Sequence, residues 1–106
     1  MPENIQILLS KLKNGLVKIY GNQLKAVYLY GSYARGEAHP ASEVDVVVVL
    51  ADYQSYGKEI DRTGELISQL SLEYGLSISR VITKEIQWQK AATPLLRNVR
   101  AEAIAA

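Results

Sequence analysis

The sequence predicts an α/β fold in which a small mixed β-sheet is packed with helices. Three observations lead to this prediction: two long segments with apolar residues at helical spacing, a continuous valine-rich run between them, and shorter strand-forming segments on either side. The 106 residues suffice for one hydrophobic core, so we expect a single domain over residues 1–106.

The first elements follow from apolar spacing and from the positions of glycines. Residues 3–20 carry apolar side chains at helical intervals, and Gly21 can end this helix. Leu24–Tyr30 is too short for a helix and rich in strand formers, so a strand is predicted. The stretch from Gly31 to Ser42 contains two glycines and a proline, which predicts a short turn of helix followed by a loop.

The second half alternates strand, helix, strand and helix. Glu43–Leu50 contains five valines and predicts a central strand covered on both faces. Apolar residues recur at helical spacing from about Ser55 to Tyr74, and Leu76–Thr83 predicts a third strand. The first two strands can pair in either direction, whereas the helical crossover returns the third strand to the same sheet. Two helices complete the chain: a short one around Glu85–Ala91 and a longer one after Pro94.

Composition and charge exclude several classes of function. The absence of cysteine excludes a disulfide framework, a thiolate zinc site and a cysteine nucleophile. Twelve Lys and Arg against eleven Asp and Glu give a formal charge of +1, so direct nucleic-acid binding is not expected. No stretch approaches the roughly 18 apolar residues of a membrane span, and no basic secretory start is present. We therefore expect a cytoplasmic protein with no membrane partner.

The candidate chemistry is concentrated between Gly31 and Asp45. A strand that stops at Gly31 and turns into a short helix through Ser32 presents backbone N–H groups and a hydroxyl to an anion. Alternate side chains of a strand share one face, so Glu43 and Asp45 are expected to project side by side. Such a carboxylate pair favours Mg²⁺ or Mn²⁺. A metal beside a phosphate cradle predicts a nucleoside triphosphate site.

The spacing in this segment is Gly31-Ser32, ten residues, then Glu43-Val44-Asp45. It resembles the Gly-Ser, ten residues, Asp-x-Asp signature of the polymerase-β-like nucleotidyltransferase superfamily. The run from Gly31 to Gly36 has the form typical of minimal nucleotidyltransferases (MNT) of prokaryotes. The resemblance implies a polymerase-β palm-like fold and the transfer of a nucleoside monophosphate from a triphosphate to an acceptor hydroxyl.

The resemblance also implies roles for individual residues. Gly31 and Ser32 would hold the phosphates, and Arg35 would add a charge-assisted contact, although a solvated arginine fits its position equally well. Glu43 and Asp45 would be the catalytic residues and would bind Mg²⁺, with ATP as substrate. His39 lies in the loop between the two halves of the signature and is assigned no role.

Two departures from the family pattern bear on activity. Glu43 is one methylene longer than the usual aspartate, and about 1 Å of misplacement can lower a rate on the order of 100-fold. The strand Leu76–Thr83 also lacks the third carboxylate that the superfamily commonly places there. A tyrosine acceptor would need less help from a base, because a phenol has a pKa of about 10.

The family context leaves more than one function open. The minimal nucleotidyltransferases that the chain resembles are commonly antitoxins of HEPN-family RNase toxins, which implies Mg²⁺-dependent transfer of AMP from ATP to a toxin tyrosine. The alternative is a non-catalytic antitoxin that binds the toxin directly and retains a degenerate nucleotide site. Adenylylation of a small molecule is less favoured, because such enzymes usually carry extra domains for the acceptor.

The C-terminal segment has two interpretations. Its apolar residues recur at helical spacing and predict an amphipathic helix that closes the domain's own core, with a partner surface as the less favoured alternative. These residues are Trp88, Leu95, Leu96, Val99 and Ile104.

Overall fold

The computed structural model describes all 106 residues and shows an α/β fold. Its helices and strands are α1 Glu3–Tyr20, β1 Leu24–Tyr30, α2 Ser32–Arg35, β2 Val44–Leu50, α3 Tyr56–Tyr74, β3 Ile78–Lys84, α4 Glu85–Lys90, α5 Pro94–Glu102 and β4 Ile104–Ala105. No helix combines the length and the apolar character needed to cross a membrane.

The four strands form one mixed sheet in the order β3-β2-β1-β4. β1 pairs antiparallel with β2, and β2 pairs parallel with β3 through the α3 crossover. The predicted mixed sheet is therefore confirmed. The sequence prediction ended the chain in a helix and missed β4, which pairs antiparallel with β1 through only two residues.

β2 is buried on both faces, as its valine run predicts. Val44, Val46 and Val48 belong to the large core formed with α1 and α3. Val47 and Val49 belong to a smaller cluster on the opposite face of the sheet, formed with α4 and α5. The strand begins at Val44, one residue later than predicted, so Glu43 lies just outside it.

The C-terminal helices close the second face of the sheet, which confirms the favoured interpretation of that segment. Trp88 of α4 stacks on Tyr28 of β1 with ring centroids 4.9 Å apart. Leu96 and Val99 of α5 are buried in the same cluster. Of the other apolar residues in the predicted stripe, Leu95 and Ile104 are exposed.

Side-chain caps define where the later helices begin. The Ser55 hydroxyl accepts a hydrogen bond from the Lys58 N–H at 3.4 Å, and the Thr93 hydroxyl accepts one from the Leu96 N–H at 3.1 Å. Pro94 follows Thr93 as the first residue of α5, where its missing N–H has no helical partner to lose. This start directs α5 back across the sheet and places its last residue, Glu102, beside the end of β1.

A buried polar contact joins α1 to α3. The Tyr20 hydroxyl donates a hydrogen bond of 2.8 Å to Oε1 of Glu59, which is only 6% exposed. Tyr20→Phe would remove the donor and leave the carboxylate without this partner. We expect the free energy of unfolding, measured by urea denaturation, to fall by about 1–3 kcal/mol.

Tyr53→Phe is the matched control for this prediction. Tyr53 packs against the same core, but its hydroxyl makes no hydrogen bond within the chain. Its loss should change the unfolding free energy by less than about 0.5 kcal/mol. Equal losses for the two variants would show that the Tyr20 to Glu59 bond is not a specific source of stability.

Candidate functional site

The Gly31-Ser32 turn has a backbone conformation that only glycine adopts readily. Gly31 has φ 78° and ψ −158°, and the four-residue helix α2 follows it directly. A Cβ atom built on Gly31 would overlap the carboxylate of Asp45. The structure therefore brings the glycine turn and Asp45, two separate halves of the motif, into direct contact.

Asp45 is the second residue of β2 and lies opposite Tyr30 of β1 and Ser79 of β3. Its side chain shares the strand face of Val47 and Val49, and it is half-buried. Burial raises the pKa of the Asp45 carboxyl, the Glu43 carboxylate raises it further, and the Arg35 guanidinium opposes this rise. Asp45 forms no salt bridge, so its charge has no close counterion within the chain.

Glu43 lies at the rim of the site. It precedes β2 and is exposed, whereas Asp45 two residues later is half-buried. Its carboxylate is still close enough to influence the pKa of Asp45. The two side chains are therefore close to each other. They differ in burial, however, because Glu43 precedes the strand and does not follow its regular alternation of faces.

Arg35 and Ser32 present two kinds of donor near the turn. The Arg35 guanidinium donates from Nη1 to Oε2 of Glu102 and from Nε to Oε2 of Glu37, both at 2.9 Å. These two carboxylates hold the pKa of Arg35 above its usual value. Ser32 is half-buried, and its hydroxyl makes no hydrogen bond within the chain, so it is free to donate to a ligand.

Glu102 is the residue of this site that the sequence reasoning missed. Its Oε1 accepts a hydrogen bond of 3.2 Å from the Gly31 N–H, while its Oε2 pairs with Arg35. The hydrogen bond from Arg35 lowers the pKa of the Glu102 carboxyl. The sequence feature that could have indicated this position is spacing. Glu102 follows Leu96 and Val99 at three-residue intervals, which places it on the buried side of α5.

The acidic groups fit a divalent cation that is shared with a bound substrate. No cluster of three or more His, Cys, Asp and Glu side chains could hold a metal ion by itself. Asp45 nevertheless has a half-buried carboxylate that forms no salt bridge, and Glu43 adds a second hard oxygen donor. Mg²⁺ is typically bound by one or two carboxylates together with substrate phosphates, which matches this set of donors.

No surface cavity forms at the key residues of the motif. Of the four surface cavities, two are lined by Tyr33 and Ala38 from the segment between the two halves of the motif, and none is lined by Gly31, Ser32, Glu43 or Asp45. The largest, of about 600 Å³, lies between α1 and α3 and away from the motif. A ligand bound at these four residues would therefore not be enclosed by any of the four cavities.

Comparison with known proteins identifies the family. Residues 9–104 match the nucleotidyltransferase domain family. A provisionally named protein adenylyltransferase of Methanocaldococcus jannaschii is 32% identical over 78 residues, which make up 74% of this chain and 78% of that protein.

Two solved complexes share the fold. A toxin–antitoxin structure with AMP-PNP has a TM-score of 0.63 and 23% identity, covering 89% of this chain and 68% of the other. A tri-AMPylated HEPN toxin of Shewanella oneidensis in complex with its MNT antitoxin gives a TM-score of 0.53 and 19% identity, covering 92% and 70%. Because the family match spans nearly the whole chain and the motif is assembled in the fold, this protein belongs to the nucleotidyltransferase domain family.

Proposed function

We propose that this nucleotidyltransferase is an MNT-type antitoxin that neutralises a HEPN RNase toxin by Mg²⁺-dependent transfer of AMP from ATP to a toxin tyrosine. The observation that carries the proposal is the direct contact between the Gly31 turn and the Asp45 carboxylate. The name of the archaeal relative supports protein adenylylation, and the solved complexes with toxins support the class of partner.

Each residue of the site has a chemical task in this reaction. The Gly31 N–H and the Ser32 hydroxyl would donate to the triphosphate, and Arg35 would add a charged contact. Glu43 and Asp45 would hold Mg²⁺, which offsets the charge on the attacking and leaving oxygens when it is bound. The phenol loses its proton to water, its oxygen bonds to the α-phosphorus, the bond from that phosphorus to the β-phosphate oxygen breaks, and pyrophosphate leaves.

The lack of a cavity at the key residues favours an acceptor that is supplied by another protein. The chain, taken as one nucleotidyltransferase unit over residues 1–106, forms no cavity lined by Gly31, Ser32, Glu43 or Asp45 that could enclose a small acceptor. A partner that covers the site would exclude water and bring its own hydroxyl to the α-phosphate. This geometry favours a protein acceptor over a small molecule such as an aminoglycoside.

Labelled ATP tests the proposed reaction. The chain is incubated with Mg²⁺ and a purified HEPN protein from the same genome, with ATP labelled at either the α- or the γ-phosphate. We expect only the α label to reach the HEPN protein, with a mass gain of one or more AMP units on tyrosine and no gain in EDTA. No mass gain, or transfer of the γ label, would contradict the proposal.

A non-catalytic antitoxin is the second candidate. The exposed position of Glu43 and the lack of a three-residue metal cluster favour it. The variant Asp45→Ala separates the two functions. If this variant still neutralises the toxin and co-purifies with it, complex formation is sufficient; if neutralisation is lost although the complex persists, catalysis is required.

A further inference from the structure

We propose that Glu102 occupies the phosphate-binding position of the free protein, so that a nucleotide must displace it in order to bind. The inference rests on the proposed function, because it places the phosphates of ATP at the Gly31 turn. The contact of Glu102 with Gly31 and Arg35 would be autoinhibitory: as long as it persists, the chain would bind nucleotide more weakly.

The contact geometry is that of a bound anion. The two oxygens of the Glu102 carboxylate accept hydrogen bonds from two different donors, the Gly31 N–H at 3.2 Å and Arg35 Nη1 at 2.9 Å. A backbone N–H together with a guanidinium is the pair of donors that proteins commonly offer to a phosphate. While the Glu102 carboxylate accepts from both, the Gly31 N–H is not available to a nucleotide, and Arg35 can offer only its remaining N–H groups.

Charge prevents Glu102 and a triphosphate from sharing this position. The Glu102 carboxylate already places a negative charge against the Gly31 N–H and the Arg35 guanidinium. A triphosphate would add further negative charge at the same place, and like charges at such distances repel strongly. A nucleotide that reaches the Gly31 N–H must therefore turn the Glu102 side chain away.

The position of Glu102 allows this movement without unfolding. It is the last residue of α5, and Ala103 after it already has extended backbone angles of φ −63° and ψ 139°. Its side chain is 26% exposed, so one side of the carboxylate faces solvent. A change of side-chain rotamer would release Gly31 and Arg35 while Leu96 and Val99 stay packed in the core.

Glu102→Gln tests the inference by removing the charge at nearly constant volume. Binding of AMP-PNP with Mg²⁺, of inorganic tripolyphosphate and of adenosine is measured by calorimetry for the wild type and for each variant. We expect the affinity for AMP-PNP and for tripolyphosphate to rise about tenfold, which corresponds to one charge-assisted hydrogen bond. The affinity for adenosine should not change, because Glu102 competes only with phosphate. Glu102→Ala should give an equal or larger rise.

Glu37→Gln is the matched control. Glu37 pairs with the same guanidinium at the same 2.9 Å distance but makes no contact with Gly31. This variant therefore measures the general effect of removing one negative charge near Arg35. We expect its affinity for AMP-PNP and tripolyphosphate to change less than threefold. Equal gains for the Glu37 and Glu102 variants, or weaker phosphate binding after Glu102→Gln, would overturn the inference and leave the proposed function intact. If neither the wild type nor any variant binds AMP-PNP or tripolyphosphate, the proposed nucleotide site is wrong and the inference fails with it.

Discussion

We expect Asp45→Asn to lower the rate of AMP transfer about a thousandfold, because the proposed function assigns Asp45 to the metal, and a metal-binding carboxylate is worth several kcal/mol in the transition state. The same variant should be as stable as the wild type or more stable. Burial raises the pKa of the Asp45 carboxyl in the folded protein, so its ionised form opposes folding at neutral pH. Asparagine removes this charge and keeps the size of the side chain. Transfer is measured with α-labelled ATP, and stability as the melting temperature.

The pH dependence adds a second check on Asp45. Ionised Asp45 destabilises the fold at pH values above its folded pKa, and this penalty disappears as the carboxyl is protonated at lower pH. Any advantage of Asp45→Asn in melting temperature should therefore shrink as the pH falls.

Asp52→Asn is the matched control for the loss of transfer, because Asp52 follows the opposite end of β2 and is exposed. A large loss of transfer in the Asp52 variant, or near-normal transfer in the Asp45 variant, would contradict the assigned role.

Gly31→Ala should lower both stability and activity. Alanine is strained at φ 78° and ψ −158°, and its Cβ would overlap the Asp45 carboxylate. Strain and overpacking together predict a loss of about 3 kcal/mol in the free energy of unfolding. The displaced carboxylate should lower the rate of AMP transfer by at least about 100-fold. Urea denaturation and the transfer assay measure the two effects.

Gly36→Ala is the control that separates backbone strain from the clash with Asp45. Gly36 also has a positive φ of 71°, but a Cβ there would meet no atom within 4 Å. We expect this variant to lose about 1 kcal/mol of stability and to keep its transfer rate. If Gly31→Ala behaved in the same way, the contact between the turn and Asp45 would not be important for the site.

Local sequence patterns were sufficient for most of the helices and strands. The valine run predicts the strand β2, and apolar residues at helical spacing predict the helices α1 and α3. The structure confirms these three elements. The direction of pairing between β1 and β2 was left open, because a loop of about a dozen residues permits either arrangement. β4 was missed because a two-residue strand carries no periodic pattern, and only its partner β1 defines it.

The candidate site was predictable only where its parts are close in sequence. Gly31, Ser32, Arg35, Glu43 and Asp45 lie in one segment, and the structure brings the first and last of them into contact. Their catalytic and binding roles stay predictions.

Glu102 could not be placed from the sequence. Its spacing puts it on the buried side of α5, but the face of the sheet that receives this helix depends on tertiary packing. β3 contains no carboxylate, as its sequence already indicated, so this strand supplies no third acidic group.

The pairing of β4 with β1 predicts uneven local stability within the sheet. Tyr28 and Leu29 pair with Ala105 and Ile104, and the Ala106 N–H donates to Val27 O at 2.9 Å, so the end of the chain meets a distant part of the sequence in a short ladder. β1 and β2, by contrast, pair along nearly their whole length. Short, exposed ladders open at lower free energy than buried ones. Amide protons in the β4 ladder should therefore exchange with solvent before those between β1 and β2, and each such opening would loosen the adjacent end of α5.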